Sequence, residues 1–337
     1  MSFAYTAFFL RRWCPRQCAY CKAKDVRGER ILKAEEWLRF FRWAQDQGFK
    51  FHLCLGNEPL AYPDLIPLVK GWKEMGLRYT LYSTFPTPFY ERLREPLVEA
   101  GVESLSCGVD LPPSAAESLD LGSISAKARR GLEALLWFKK HGVPGLLALI
   151  TFHRLNYRHV LDLARFVNRL GLKCSINPVE WSHDGQHDFF GTREELGDYA
   201  FRPEDESEVR RVLLELADAA ESGEIDVQPP PDLFRWWAGR IVDLKCKCRR
   251  PSILSIEEDG SLRLCAYRRG EAMPRYSIFD LMDGKVSLTQ LEDVWRRDWQ
   301  NCPGCCWAFW FMIDYYEEHG VEKEKIVNYD QPEAGHG

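Results

Sequence analysis

The chain has 337 residues, of which 45% are hydrophobic, which is enough for a sizeable core and for two domains. Its net charge of −5 does not suggest the basic surface that nucleic-acid binding requires, so we expect no nucleic-acid partner. The N-terminus lacks the pattern of a signal peptide, and the longest apolar run, Cys305 to Ile313, is too short for a membrane span. We therefore expect a cytoplasmic protein.

Six strand-like segments alternate with amphipathic segments over the first two thirds of the chain. The strands are predicted at 3–10, 51–55, 78–83, 103–109, 146–152 and 173–178. Glycines follow the helix-like segments, as a left-handed C-cap requires, at Gly48, Gly76, Gly101, Gly142 and Gly171. This run of about six βα units predicts a parallel sheet, or a TIM-like barrel that is incomplete because it lacks two of eight units.

The pattern changes in the last third of the chain. After a helix predicted at 204–222, Pro229 to Pro231 interrupt the chain, and short strands at 253–257 and 262–266 flank an Asp259-Gly260 turn typical of a hairpin. We expect the following division: a partial (β/α)6 barrel at 1–235, a small α+β domain at 236–330 and a disordered tail at 331–337.

Twelve cysteines are many for a chain in a reducing compartment, and their spacing indicates metal ligation rather than disulfides. Cys14, Cys18 and Cys21 form a C-x3-C-x2-C motif directly after the first strand. Four-iron clusters take four thiolates, so three would leave one iron open, as a catalytic metal requires. The alternative is a structural zinc knuckle that lacks its fourth ligand.

This motif, with Tyr20 before its last cysteine, resembles the radical S-adenosylmethionine (radical SAM) superfamily, as does the Gly56-Asn57-Glu58-Pro59 sequence that ends the second strand. The resemblance covers roughly residues 3–180 and also the C-terminal cysteines. It implies that SAM chelates the fourth iron and is cleaved to a 5′-deoxyadenosyl radical, and that Gly56 to Pro59 bind the SAM amino group. A flavodoxin or ferredoxin-type protein would donate the electron.

One residue departs from the family pattern, because Asn57 stands where the family has a second glycine. Asparagine tolerates positive φ better than other non-glycine residues, so we expect the loop to keep its backbone path and Glu58 its position.

Further SAM contacts are predicted from strand parity, which turns Ser104, Ser106 and Asp110 of the fourth strand towards the interior. The resemblance adds polar residues near the ends of other strands, namely Ser83, Thr84, Asn156 and Asn177. Each is a candidate contact to ribose or adenine. For each of them, a local capping or loop hydrogen bond is the alternative.

The C-terminal cysteines resemble a twitch module, the shortened form of the SPASM extension, which binds one auxiliary four-iron cluster. The expected ligands are Cys248, Cys265, Cys302 and Cys305. Cys246 and Cys306 are alternates to Cys248 and Cys305, and a zinc ribbon is the alternative site. The expected cofactors are therefore two 4Fe-4S clusters and SAM.

Three cysteines stand alone in the chain. Parity places Cys107 and Cys174 on the apolar side of their strands, where buried free cysteine is common. Cys54 shares a side with His52 and Gly56. It is a candidate hydrogen-atom donor to a substrate radical, with simple packing as the alternative.

The cofactor supplies the difficult chemistry, whereas the protein selects the hydrogen atom that is removed. Because the cluster motif begins at residue 14, we expect no leader-peptide-binding domain before it and favour a small polar metabolite, such as a sugar, aminoglycoside or nucleoside. The expected reaction is dehydrogenation, epimerisation or decarboxylation, by an oxidoreductase or epimerase. Peptide or protein maturation is the alternative. An iron–sulfur or zinc module for binding or electron transfer is a third, which would leave Glu58 and its loop without a role.

Overall fold

The computed structural model describes residues 3, 5–16, 18–22, 30–49, 51–55, 57–110, 121–122, 124–183, 191–241, 253–263, 276–299, 305–306, 312, 315–316 and 318–320. Several residues of interest lie outside the described residues, namely Gly56, Cys246, Cys248, Cys265, Cys302 and the tail at 331–337. The expectations for them remain predictions.

The predicted strands are present, and their described ends coincide with the predicted ones or differ by one or two residues. The strands are β1 (Tyr5–Phe8), β2 (Phe51–Cys54), β3 (Tyr79–Tyr82), β4 (Ser104–Gly108), β5 (Gly145–Phe152), β6 (Lys173–Pro178), β7 (Trp181–Ser182), β8 (Val227–Gln228), β9 (Ile253–Ile256), β10 (Leu262–Arg263) and β11 (Cys305–Cys306). Sequence patterning did not predict β7, β8 or β11.

Helices follow most of the strands. They are α1 (Ala34–Asp46), α2 (Leu65–Glu74), α3 (Thr87–Glu99), α4 (Ala126–Lys140), α5 (Val160–Arg169), α6 (Arg193–Leu196), α7 (Glu206–Glu221), α8 (Pro231–Ala238), α9 (Ile278–Met282) and α10 (Leu288–Trp299). Within the described ranges, no helix combines the length and apolar character needed to cross a membrane.

Local sequence explains these elements. In α5, apolar residues recur at helical spacing and form its buried face, with Val160, Leu163, Ala164 and Val167 among them. Ser125 caps α4, because its side chain accepts a hydrogen bond from the Ala128 N–H. The five glycines expected to cap helices all have positive φ, between 60° and 84°, at Gly48, Gly76, Gly101, Gly142 and Gly171.

The chain divides into two compact units, and the first contains residues 1–105, 184–190 and 248–303. Its strand order is β10-β9-β1-β2-β3-β4, in which β9, β1, β2 and β3 run parallel and β10 runs antiparallel to β9. Phe8 of β1 packs against Trp37, Phe41 and Trp72 of the neighbouring helices, so one face of this sheet carries an aromatic core.

The second unit contains residues 106–183, 191–247 and 304–337. Its main strand order is β4-β5-β6-β8, in which β5, β6 and β8 run parallel, and β11 pairs antiparallel with β7. The predicted α/β class and the six βα units of a partial barrel are thus confirmed. The boundary expected between residues 235 and 236 stays a prediction, although the predicted hairpin is hydrogen-bonded to β1 through β9.

Candidate functional site

Three thiols lie on one loop at the carboxyl end of β1. Cys14, Cys18 and Cys21 are half-buried, and the Cys21 N–H donates to the Cys18 carbonyl at 3.1 Å, which closes a turn between them. Burial raises the pKa of the Cys14 thiol to about 11, the Arg16 backbone N–H opposes this rise, and the charges of Glu58, Cys18 and Cys21 add to it. The three thiols and the Glu58 carboxylate therefore lie in one cluster of acidic groups.

The thiol cluster does not have the geometry of a single-ion site. Among the described residues, no three His, Cys, Asp or Glu side chains are arranged to hold one metal ion. A four-iron cluster makes a different demand, because each thiolate binds its own iron. Its ligands surround a cluster rather than converge on one point.

The Glu58 carboxylate is fully buried at the carboxyl end of β2. Its Oε1 accepts from the Ser83 hydroxyl at 2.7 Å and from the Leu60 N–H at 3.2 Å, and its Oε2 accepts from the Thr84 N–H at 3.0 Å and the Thr84 hydroxyl at 2.8 Å. Burial raises the pKa of Glu58, and these hydrogen bonds oppose the rise. A buried carboxylate of this kind is suited to a cationic partner, which would balance its charge.

The hydroxyls of Ser83 and Thr84, two candidate contacts to ribose or adenine, hydrogen-bond to Glu58. Their contact with SAM stays a prediction. Thr84 also accepts two hydrogen bonds from Arg16, which lies between the first two cysteines of the motif. Arg16 Nε donates to the Thr84 hydroxyl and Nη2 to the Thr84 carbonyl, each at 3.4 Å. Sequence reasoning missed this role of Arg16, although a basic residue inside the cysteine motif was the available signal.

Asn57 connects the loop after β2 to the end of β1. Its N–H donates to the Arg11 carbonyl at 3.0 Å. Directly beyond it, Pro59–Ala61 form a short 3-10 helix, whose first turn Glu58 caps.

The β4 side chains have the predicted parity. The Ser104 and Thr80 hydroxyls are hydrogen-bonded at 3.1 Å, and the Ser106 hydroxyl is fully buried with no hydrogen-bond partner among the described residues. Cys107 faces α4, because a Cβ added to Gly131 would lie 2.8 Å from its Sγ. The serines therefore point away from α4, and Ser106 is suited to hydrogen-bond a polar ligand.

Asp110 and Asn177 lie at the ends of their strands, as predicted. Lys127, in the first turn of α4, forms an ion pair with Asp110 at 3.0 Å. Asn177 is half-buried and stands opposite Thr151 in the register of β5 and β6.

Asn156 satisfies its side chain locally. Its Oδ1 accepts from the His153 N–H at 2.9 Å, and its Nδ2 donates to the Thr151 carbonyl at 2.7 Å, which is the loop alternative to a SAM contact. His153 was not predicted as a site residue. Burial lowers its pKa to about 4, the charge of Asp110 opposes this shift, and its Nδ1 accepts from the Leu155 N–H at 3.2 Å. The fold thus holds a neutral histidine at the end of β5.

Cys54 lies on the helix-facing side of β2. It stands opposite Phe8 in the register of β1 and β2, and Phe8 packs on Phe41 of α1. His52, on the same side of β2, also contacts Phe41, with ring centroids 5.0 Å apart. This position favours simple packing over the hydrogen-donor hypothesis.

Two of the C-terminal cysteines are described, and both are buried in β11. The Cys306 thiol donates to the Val179 carbonyl at 3.7 Å, and burial raises its pKa. Successive residues of a strand point to opposite faces, so the Cys305 side chain is directed away from that contact. This arrangement favours Cys305 over Cys306 as a ligand.

An ion-pair network anchors the loop that carries the first cysteines. Arg12 pairs with Glu257 at 2.9 Å, the Arg12 N–H donates to Glu258 at 2.7 Å, and Arg11 pairs with Glu258 at 3.3 Å. Both glutamates directly follow β9 in the hairpin. Sequence patterning missed the network, because its two halves are about 245 residues apart.

Residues 9–167 match the family model described as the radical SAM superfamily. The chain is 22% identical over 303 residues to a probable GTP 3′,8-cyclase of Pyrococcus abyssi, across 86% of this chain and 92% of that protein. It is 26% identical over 164 residues to the GTP 3′,8-cyclase of Nautilia profundicola, which spans 47% of this chain and 51% of that one.

Two solved structures with a similar fold bind SAM. Streptococcus suis SuiB bound to S-adenosylmethionine has a TM-score of 0.64 at 15% identity, with 87% of this chain and 68% of that chain covered. The anSMEcpe enzyme with bound AdoMet and the Kp18Cys peptide has a TM-score of 0.56 at 14% identity, over 96% and 98% of the two chains. Residues 9–167, just under half of the chain, therefore form a radical SAM domain. Members of that superfamily use a 4Fe-4S cluster and SAM, and the two SAM-bound structures share the fold of this chain.

Proposed function

We propose that Cys14, Cys18 and Cys21 hold a 4Fe-4S cluster whose open iron binds SAM. The observation that carries this proposal is the placement of three half-buried thiols beside the buried carboxylate of Glu58. Together the cluster and SAM supply a 5′-deoxyadenosyl radical that abstracts hydrogen from a substrate.

The chain's own residues bind and orient SAM in this proposal. Glu58 accepts the SAM amino group, because an ammonium balances the charge of a buried carboxylate. Tyr20 lies half-buried in the turn that ends at Cys21. Ser106, whose hydroxyl is buried, stays a separate candidate contact to a polar ligand.

The proposed substrate is a small polar metabolite. A relative that this chain matches over 92% of its length is named a probable GTP 3′,8-cyclase, which acts on a nucleotide. In the second unit, polar side chains share the face of the sheet that carries Ser106, and they are Thr151, Ser175 and Asn177. This supports hydrogen bonding to a hydroxyl-rich substrate, on which oxidoreductase, epimerase or cyclase chemistry would act.

Peptide modification is the second candidate. SuiB has also been solved with its precursor peptide SuiA, at a TM-score of 0.60, and anSMEcpe with a peptide. At 14% identity both likenesses concern the fold alone. Release of 5′-deoxyadenosine that rises with a nucleoside or sugar supports the first candidate, whereas a rise only with peptide supports the second.

We also propose an auxiliary 4Fe-4S cluster bound by Cys248, Cys265, Cys302 and Cys305. Gly260, with φ of 86°, forms the hairpin turn between Cys248 and Cys265, and Cys305 is held in β11. Four thiolates saturate such a cluster, which suits the transfer of an electron from the substrate. A flavodoxin or ferredoxin-type protein is the proposed donor to the first cluster.

The role of Glu58 is tested by replacing it with glutamine. We expect Glu58→Gln to weaken SAM binding by about 1.5–3 kcal/mol, because a charge-assisted hydrogen bond is lost. The measurement is the SAM dissociation constant of anaerobically reconstituted protein. Glu91→Gln, at an exposed glutamate of α3, is the matched control. Equal dissociation constants for wild type and Glu58→Gln would remove Glu58 from the site.

A further inference from the structure

Two hydroxyls donate to Glu58, and each of them also accepts a hydrogen bond from another group. Ser83 Oγ accepts the Phe85 N–H at 2.9 Å, and Thr84 Oγ1 accepts Arg16 Nε at 3.4 Å. An amide N–H and a guanidinium can only donate. Each hydroxyl therefore turns its single proton towards Glu58, which lies 2.7 Å from Ser83 Oγ and 2.8 Å from Thr84 Oγ1.

The turn from Ser83 to Phe85 has a strained backbone. Phe85 has φ of 45°, a conformation that a bulky residue rarely adopts. Its N–H is the one that reaches back to Ser83, so the strain accompanies the contact that orients this hydroxyl. Strained residues of this kind are concentrated at functional sites, where surrounding contacts hold them in place.

Arg16 connects this turn to the cysteine motif. Its backbone N–H bonds to the Cys14 sulfur, and its guanidinium bonds to the hydroxyl and the carbonyl of Thr84. A single residue thus contacts both a proposed cluster ligand and a residue that holds Glu58.

We propose that Ser83 and Thr84 are positioning residues for Glu58, and that Arg16 acts through Thr84 to hold that carboxylate in a fixed place relative to the cluster. The inference rests on the proposed function, since Glu58 must accept the SAM ammonium. Preorganised donors reduce the reorientation that the carboxylate must undergo on binding. Their loss weakens SAM binding without removing a SAM ligand.

Threonine 84 is tested with a pair of variants. Thr84→Val keeps the shape and removes the hydroxyl, and we expect it to raise the SAM dissociation constant about tenfold, the scale of one hydrogen bond to a charged group. Thr84→Ser restores the hydroxyl and should bind SAM as wild type does. Thr87→Val, at the exposed start of α3, is the matched control and should have no effect. SAM-dependent change in the electron paramagnetic resonance spectrum of the reduced cluster is the second readout.

Arg16 is tested by a double-mutant cycle. If it acts through Thr84, Arg16→Gln weakens SAM binding in the wild type but has no further effect in the Thr84→Val background. Additive effects would show that Arg16 acts separately and would overturn this part of the proposal. Ser83→Ala, which removes the other hydroxyl, should also weaken binding, and it provides the test should Thr84→Val fail to fold.

The outcomes separate this inference from the proposed function. Wild type that binds no SAM contradicts the proposed function itself. The positioning role alone is overturned if wild type, Thr84→Val and Ser83→Ala bind SAM with the same dissociation constant. The three proteins must have equal iron content and equal unfolding temperature.

Discussion

At the scale of single residues, His52 shows how the fold selects a protonation state. Its side chain is 1% exposed, its Nδ1 is hydrogen-bonded to the Thr6 hydroxyl at 2.7 Å, and the Phe41 ring packs against it. Burial lowers the pKa of His52 to about 3. The folded protein therefore keeps this imidazole neutral at every pH near neutrality.

This burial predicts a pH dependence of stability. As the pH falls below 6.5, the ordinary pKa of a histidine, unfolded chains take up a proton at His52 that the folded protein accepts only near pH 3. The free energy of unfolding should therefore fall with pH across that window, and His52→Gln should reduce the slope. Urea unfolding at several pH values measures this slope. The control is His141→Gln, which replaces an exposed histidine. If the free energy of unfolding depended on pH equally in wild type and His52→Gln, the lowered pKa of His52 would be contradicted.

The family resemblance of the cysteine motif and of Gly56 to Pro59 was sufficient to predict these residues as site residues, whereas the loop contacts needed the fold. Cys14, Cys18 and Glu58 follow adjacent parallel strands, and the carboxyl ends of such strands meet at one edge. The hydrogen bonds of Thr84 depend on how the chain turns after β3, which no local pattern encodes. The positive φ of Phe85, in that same turn, likewise had no signal in the sequence.

At the scale of elements, the hairpin of β9 and β10 is held by buried charge. The Arg12 side chain is 1% exposed and that of Glu257 is 9% exposed, and they pair at 2.9 Å. Arg263 of β10 also pairs with Glu257, at 2.7 Å. One carboxylate thus serves two cations and joins the hairpin to the end of β1.

Removing that carboxylate charge should destabilise the protein. We expect Glu257→Gln to lower the free energy of unfolding by about 3–5 kcal/mol, because it removes the charged partner of the buried Arg12 guanidinium. Glu224→Gln breaks the exposed pair with Arg165 and should cost about 0–1 kcal/mol. Urea unfolding measures both variants. If Glu257→Gln and Glu224→Gln lowered the free energy of unfolding by similar small amounts, the buried pair would contribute no more than a surface pair.

The seven described strands of at least four residues could be predicted because alternating and continuous apolar runs identify segments such as β5 and β6. Two-residue strands such as β8 are too short to show any periodicity. The pairing of β9 with β1 joins segments about 250 residues apart. Such long-range register depends on tertiary packing, so the hairpin was predicted but its place beside β1 was not.

At the scale of the whole molecule, the two cysteine groups have different proposed roles. In the proposed function, Cys14, Cys18 and Cys21 would leave one iron open to SAM, whereas the C-terminal group would saturate an auxiliary cluster. The reconstituted protein should then contain about eight irons per chain, and each cluster should be removable separately. Variants of the two groups therefore separate SAM cleavage from substrate turnover.

The most direct test is 5′-deoxyadenosine release from SAM under reducing conditions. Wild type should release it, and the triple variant Cys14→Ala, Cys18→Ala, Cys21→Ala should release none while it keeps about four irons. Cys265→Ala, which also keeps about four irons, should retain part of the release without substrate and lose turnover. Release of 5′-deoxyadenosine by the triple variant would contradict the account.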